Sequence, residues 1–75
     1  DGGIPMFKHQ IISKTRNKLG LSQSDLSRLT GIRVDMLSRL ENGKQRNPTL
    51  RTLELLAHAL QISVAELIDE SIITD

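Results

Sequence analysis

Apolar residues recur at three- and four-residue steps along most of the chain, without a sustained two-residue alternation, so the pattern predicts helices rather than strands. Gly20, Gly31, Gly43 and Pro48 cut that pattern into short segments. A first helix over about Met6 to Lys18 would turn Ile12 and Leu19 inward and end at Gly20 as a left-handed cap. "SQSD" at 22–25 has the Ser-x-x-acid form of a capping box, which predicts a second helix over about Gln23 to Thr30, stopped by Gly31. A third, over about Val34 to Glu41, would bury Leu37 and Leu40.

Only three or four residues separate the second and third helices. That is the spacing of a helix-turn-helix, with Gly31 making the turn and Ile32 anchoring it on the core. After the polar run "NGKQRN" at 42–47, Thr49 can cap a fourth helix whose leucines at 50, 53, 56 and 60 keep one face apolar. "SVAE" at 63–66 is a second capping box and opens a short fifth helix through Ile68. Residues 69–75, "DESIITD", receive no firm assignment.

The chain is 75 residues long, room for one domain that buries about 60% of its unfolded surface, so a large substrate cavity is not expected. Phe7 is the only aromatic residue, and the apolar remainder is aliphatic, as an all-α core would require. Cysteine is absent, which excludes disulfides and thiolate metal sites without identifying a compartment. No apolar run has the length of a membrane span or a signal-peptide core, so a soluble, intracellular protein is the expectation. Residues 1–5 read as a cloning scar or a disordered start, with Met6 as a natural first residue.

The net charge of +1 hides an uneven distribution. Residues 1–51 carry all ten Lys and Arg against four acids, net +6, whereas residues 52–75 carry five acids and no Lys or Arg, net −5. One part of the molecule can face a polyanion and the other cannot; equally, the charges can simply solubilise helix faces.

"LGLSQSDLSRLTGIRVDMLSRLENGK" followed by "PTLRTLELLAHALQISVAELI" resembles the DNA-binding domain of phage-repressor and Cro type, the XRE-family helix-turn-helix. The likeness covers roughly residues 8–68, and its elements agree in order. It implies a compact five-helix, lambda-repressor-like domain over residues 6–68 that binds palindromic operator DNA as a homodimer, with its third helix in the major groove. It also implies a transcriptional regulator, most simply a repressor, of bacterial or phage origin in the cytoplasm, with no enzymatic activity and no cofactor.

Under that resemblance, bases would be read by Arg33, Val34, Asp35, Ser38 and Arg39 at the start of the third helix. Arg33 or Arg39 can donate twice to guanine, Val34 can pack on a thymine methyl, Asp35 can accept from cytosine, and Ser38 can reach a base or a phosphate. Asp35 can instead complement the helix N-terminus, because Arg33 stands where the family usually has a serine cap. Phosphates would be held by Gln23 at the start of the second helix and by Asn42, Lys44, Arg46 and Asn47 in the polar loop. The loop also reads as a solvated turn, with Asn42 and Gly43 chosen for left-handed backbone. Arg16 and Glu41 occupy positions that in this family form a partly buried salt bridge.

His9 and His58 stand far apart, and no His or carboxylate cluster has ligand spacing, so neither a metal site nor a catalytic constellation is expected. Ile68, Ile72 and Ile73 would align on a continued helix, to pack on the core, pair two protomers or dock on a partner. The alternative function is a protein-interaction module, such as an antitoxin or transcription adaptor, using an apolar patch around Leu29, Met36 and the tail isoleucines. The chain reads either as a whole small regulator or as the N-terminal part of a longer one.

Overall fold

The computed structural model describes residues 6–69. They run in the order β1 (Met6–Phe7), α1 (His9–Lys18), α2 (Gln23–Thr30), α3 (Val34–Glu41), α4 (Leu50–Leu60), a single 3-10 turn (Val64–Leu67) and β2 (Ile68–Asp69). Four α-helices make the body. The two short strands form one antiparallel pairing, Met6 with Asp69 and Phe7 with Ile68.

Helices α2 and α4 start where a side-chain oxygen meets amides that have no partner in the helix. The Asp25 amide donates to Ser22 Oγ at 3.0 Å, and the Ser22 amide donates to Asp25 Oδ2 at 2.9 Å, closing a capping box. The Thr52 amide donates to Thr49 Oγ1 at 3.2 Å and opens α4. Helix α2 stops at Gly31, whose φ of 78° is left-handed backbone open to glycine at little cost.

Leu26, Leu37, Leu40, Leu53, Leu56, Ala57, Leu60, Ile12 and Leu67 form the core. Fully burying one such leucine or isoleucine is worth roughly 1.5–3 kcal/mol, so this aliphatic centre holds α1, α2, α3 and α4 together without an aromatic residue. Thr30, a buried polar residue, is satisfied within the turn: its Oγ1 donates to the Leu26 carbonyl at 2.8 Å and accepts from the Ile32 amide at 3.1 Å. Ser27 Oγ donates to the Ile32 carbonyl at 2.6 Å. Both amide and carbonyl of Ile32 are thereby tied to α2, and the angle between α2 and α3 is set by hydrogen bonds as well as by glycine.

Five expectations are corrected. The first helix begins at His9, not Met6, because Met6 and Phe7 are extended to pair with the distant residues Ile68 and Asp69. The fifth helix is only a 3-10 turn; its Ser63–Glu66 box is present, but Ile68 turns extended (φ −126°, ψ 154°) to meet Phe7. Leu19 is 40% exposed, because it lies beyond the last turn of α1, where the chain leaves through Gly20. Leu50 is 63% exposed: it occupies the open first turn of α4, about 60° around the helix from Leu53. The alignment of Ile68 with Ile72 and Ile73 does not stand, since Ile68 is extended, and Ile72 and Ile73 lie outside the described residues.

Candidate nucleic-acid interface

Helix α3 buries Leu37 and Leu40 and turns Arg33, Val34, Asp35 and Arg39 to solvent, with Ser38 half-buried between. Arg33 is the N-cap residue but its side chain caps nothing, so the first amides of α3 have no side-chain partner. Its guanidinium instead lies 3.4 Å from Asp35 Oδ1, in a pair so exposed that it contributes little to stability. All five expected base readers thus sit on α3 or at its N-cap, four of them exposed.

The opposite end of α3 is held tightly. Arg16 Nε donates to Glu41 Oε2 at 2.8 Å and Nη2 to Glu41 Oε1 at 3.0 Å, a bidentate pair with both side chains nearly buried. Arg16 Nη1 also donates to the Leu21 carbonyl at 2.8 Å, linking α1 to the segment before α2. The hydrogen bonds to Glu41 hold the Arg16 guanidinium above its already high ordinary range, so it stays charged.

Gln23 joins this cluster. Its Nε2 donates to Glu41 Oε1 at 3.1 Å, so its expected phosphate role is joined by a structural one that no local sequence signal marks. A carboxamide has two N–H groups, so the second, with the Gln23 and Ser24 amides that the capping box leaves over, remains available to an anion. Glu41 therefore orients both the recognition-type helix and the glutamine beside it.

Beyond Glu41 the chain makes a compact turn. Gly43 adopts φ 79°, while Asn42 is right-handed at φ −86°; the left-handed role expected of both belongs to Gly43 alone. The amides of Lys44 and Gln45 both donate to the Arg39 carbonyl, at 2.9 and 3.1 Å. Arg46 Nε reaches the Gly43 carbonyl at 3.4 Å. Asn42, Lys44, Arg46 and Asn47 all remain exposed, continuing the polar and basic surface away from α3.

Three residues at this site carried no functional expectation. His9 Nδ1 lies 3.0 Å from the Glu41 carbonyl, and Ser27 and Thr30 brace the turn before Arg33. A His, Ser or Thr has no spacing signature for such contacts, because the partners are backbone atoms. Among the described residues, no group of three or more His, Asp or Glu side chains is placed to hold a metal ion. No helix of the described residues is long and apolar enough to cross a membrane.

Comparison with known proteins follows the same geometry. A helix-turn-helix family model matches residues 12–67. The transcriptional regulator SinR of Bacillus subtilis is 36% identical over 61 residues, covering 81% of this chain and 55% of its own length. The chain thus spans about half of that regulator. The crystal structure of SinR in complex with DNA matches with a TM-score of 0.75 at 34% identity, covering 79% of this chain and 94% of that one. The P22 c2 repressor in complex with a synthetic operator matches with a TM-score of 0.75 at 28% identity, covering 81% and 91%. These relatives are transcriptional regulators rather than enzymes.

Proposed function

The chain belongs to the helix-turn-helix family, and from that membership we propose that it binds double-stranded DNA sequence-specifically as a transcriptional repressor without enzymatic activity. The observation that carries this reading is α3 itself: its inner face is locked into the core while Arg33, Val34, Asp35 and Arg39 are exposed on the outer one, as groove-reading side chains must be. Relatives of the same fold solved with DNA support it.

In this reading the DNA-binding domain expected over residues 6–68 acts in the cytoplasm and extends to Asp69, which pairs with Met6. Arg33 and Arg39 donate to guanine edges, Val34 packs on a thymine methyl, Asp35 accepts from cytosine, and Ser38 contacts base or phosphate. Gln23, with the amides of Gln23 and Ser24, clamps one phosphate, and Asn42, Lys44, Arg46 and Asn47 follow the backbone on the far side of α3. Arg16 and Glu41 touch no DNA; they hold Gln23 and α3 in a fixed relation. Two copies on a palindrome place their α3 helices one helical turn of DNA apart.

Selection from a randomised duplex pool at physiological salt tests the proposal. An enriched palindrome is expected, with half-site spacing that reports the dimer. An unenriched pool would overturn sequence-specific binding and favour the protein-interaction module.

A further inference from the structure

The last four carbonyls of an α-helix have no partner inside it and must find one elsewhere. In α3 the turn itself satisfies three of these carbonyls: Asn42 N donates to that of Ser38, Lys44 N and Gln45 N to that of Arg39, and Gly43 N to that of Leu40. The fourth carbonyl, that of Glu41, is met from another element, by His9 Nδ1 at 3.0 Å. The imidazole is the first residue of α1 and half-buried.

The far side of the same ring closes on the turn. A Cβ on Gly43 would come within 2.9 Å of His9 Nε2, 3.1 Å of Cδ2 and 3.2 Å of Cε1, so the ring lies flush against a backbone that bears no side chain. Gly43 is thus required twice, for its φ of 79° and for the space that His9 fills. His9 is in turn anchored from behind, because the adjoining Lys8 amide donates to the Leu67 carbonyl at 2.7 Å and Phe7 pairs with Ile68.

His9 and Arg16 are seven residues apart, two turns of α1, and so share one face of it. One grips the Glu41 backbone and the other its carboxylate. Resting on the DNA-binding reading above, we propose that His9 is a positioning residue for the phosphate-contacting turn: it fixes where Asn42–Arg46 leaves α3 and so where Lys44 and Arg46 meet the DNA backbone.

This assignment demands a particular tautomer. A carbonyl can only accept, so the neutral ring must carry its proton on Nδ1, leaving Nε2 bare against Gly43. An asparagine amide can place its N–H near the position of Nδ1, whereas alanine cannot.

The test combines His9→Ala and His9→Asn with the wild-type chain, using the duplex recovered by selection. Below its melting temperature, His9→Ala is expected to bind about tenfold more weakly. Its log-log salt slope should shrink by about 0.9 to 1.8, one or two phosphate contacts, with the preferred half-site sequence unchanged. His9→Asn is expected to recover most of both. Multiple-bond 15N–1H spectra of the neutral wild-type imidazole should show the proton on Nδ1, a readout independent of DNA and of whether the alanine variant folds.

Wild-type affinity and slope in folded His9→Ala, or a proton on Nε2, would overturn the assignment while leaving DNA binding intact. A loss of affinity at unchanged slope would also overturn it, because the basic turn would then be in place. If the wild-type chain selects no duplex, the DNA-binding reading fails and this inference with it.

Discussion

The two ends of α3 are built on opposite plans. At its C-terminal end, each of the last four carbonyls is satisfied, and the Glu41 carboxylate accepts from both Arg16 and Gln23. At its N-terminal end, Arg33 occupies the cap position without capping, and the nearby side chains are exposed. Helix α2 shows the difference is local, since its own N-terminus carries a complete capping box. The locked end sets the helix direction, and the bare end leaves side chains and amides uncommitted for a ligand.

Breaking the locked end should have the largest effect. Arg16→Ala leaves the buried Glu41 carboxylate without its counter-ion, which costs roughly 3–5 kcal/mol. For a domain of this size each kcal/mol is worth roughly 4–8 °C of melting temperature, so thermal unfolding should shift down steeply or the variant should fail to fold. Arg39→Ala removes an exposed side chain and should melt within about 0.5 kcal/mol of the wild type. If the two variants melt alike, the contrast between locked and free residues is wrong.

In binding assays Arg39→Ala should nonetheless weaken operator binding by about ten- to hundredfold and relax the preference at one base pair. Undiminished discrimination would remove Arg39 from the reading set. The bare end is probed next by Arg33→Ser, which installs the missing cap. That variant should be more stable by about 0.5–1 kcal/mol in chemical denaturation and yet bind the operator more weakly. A cap that adds no stability would show that the N-terminus is not limited by its unpaired amides.

Smaller effects refine the picture. Lys44→Ala and Arg46→Ala should each flatten the log-log salt dependence by about 0.9 without changing sequence preference, as titrations at several salt concentrations would reveal. Unchanged slopes would make the loop a solvated turn only. The smallest effect belongs to the capped start of α2, where the Ser22 amide, followed by the Ser22 hydroxyl, holds the Asp25 carboxyl below its ordinary range. A carboxyl depressed on folding stabilises fully above about pH 4 and loses that contribution as pH falls through its lower folded value. Melting temperatures of Asp25→Asn should therefore start lower near neutrality and converge on the wild type in acid. Parallel curves would break the link between box and charge.

Much of this architecture was legible as local chemistry. Gln23–Thr30 and Val34–Glu41 followed from a capping box, a glycine and a helical repeat, because their determinants lie within a few residues of each other. Leu19 and Leu50 kept the helical repeat but lay at helix ends, where periodicity alone does not say whether another element stands opposite. Gln61 ends α4 in left-handed backbone (φ 62°) with no glycine to signal it. On the candidate site, the charged outer face of α3 could be read from residue types, and the Arg16–Glu41 pairing was carried by family likeness.

The sequence by itself determined the bounds of α2 and α3, the start of α4, most of the core positions and which segment is basic, since these are set by side chains close along the chain. Tertiary structure decided that Met6 and Phe7 would leave the first helix to pair with Ile68 and Asp69, that Gln23 would lean on Glu41, and that His9 would close on Gly43. The reason is physical: a backbone carbonyl or amide is the same at every position, so which one a distant side chain or strand meets is settled only when packing brings the two together.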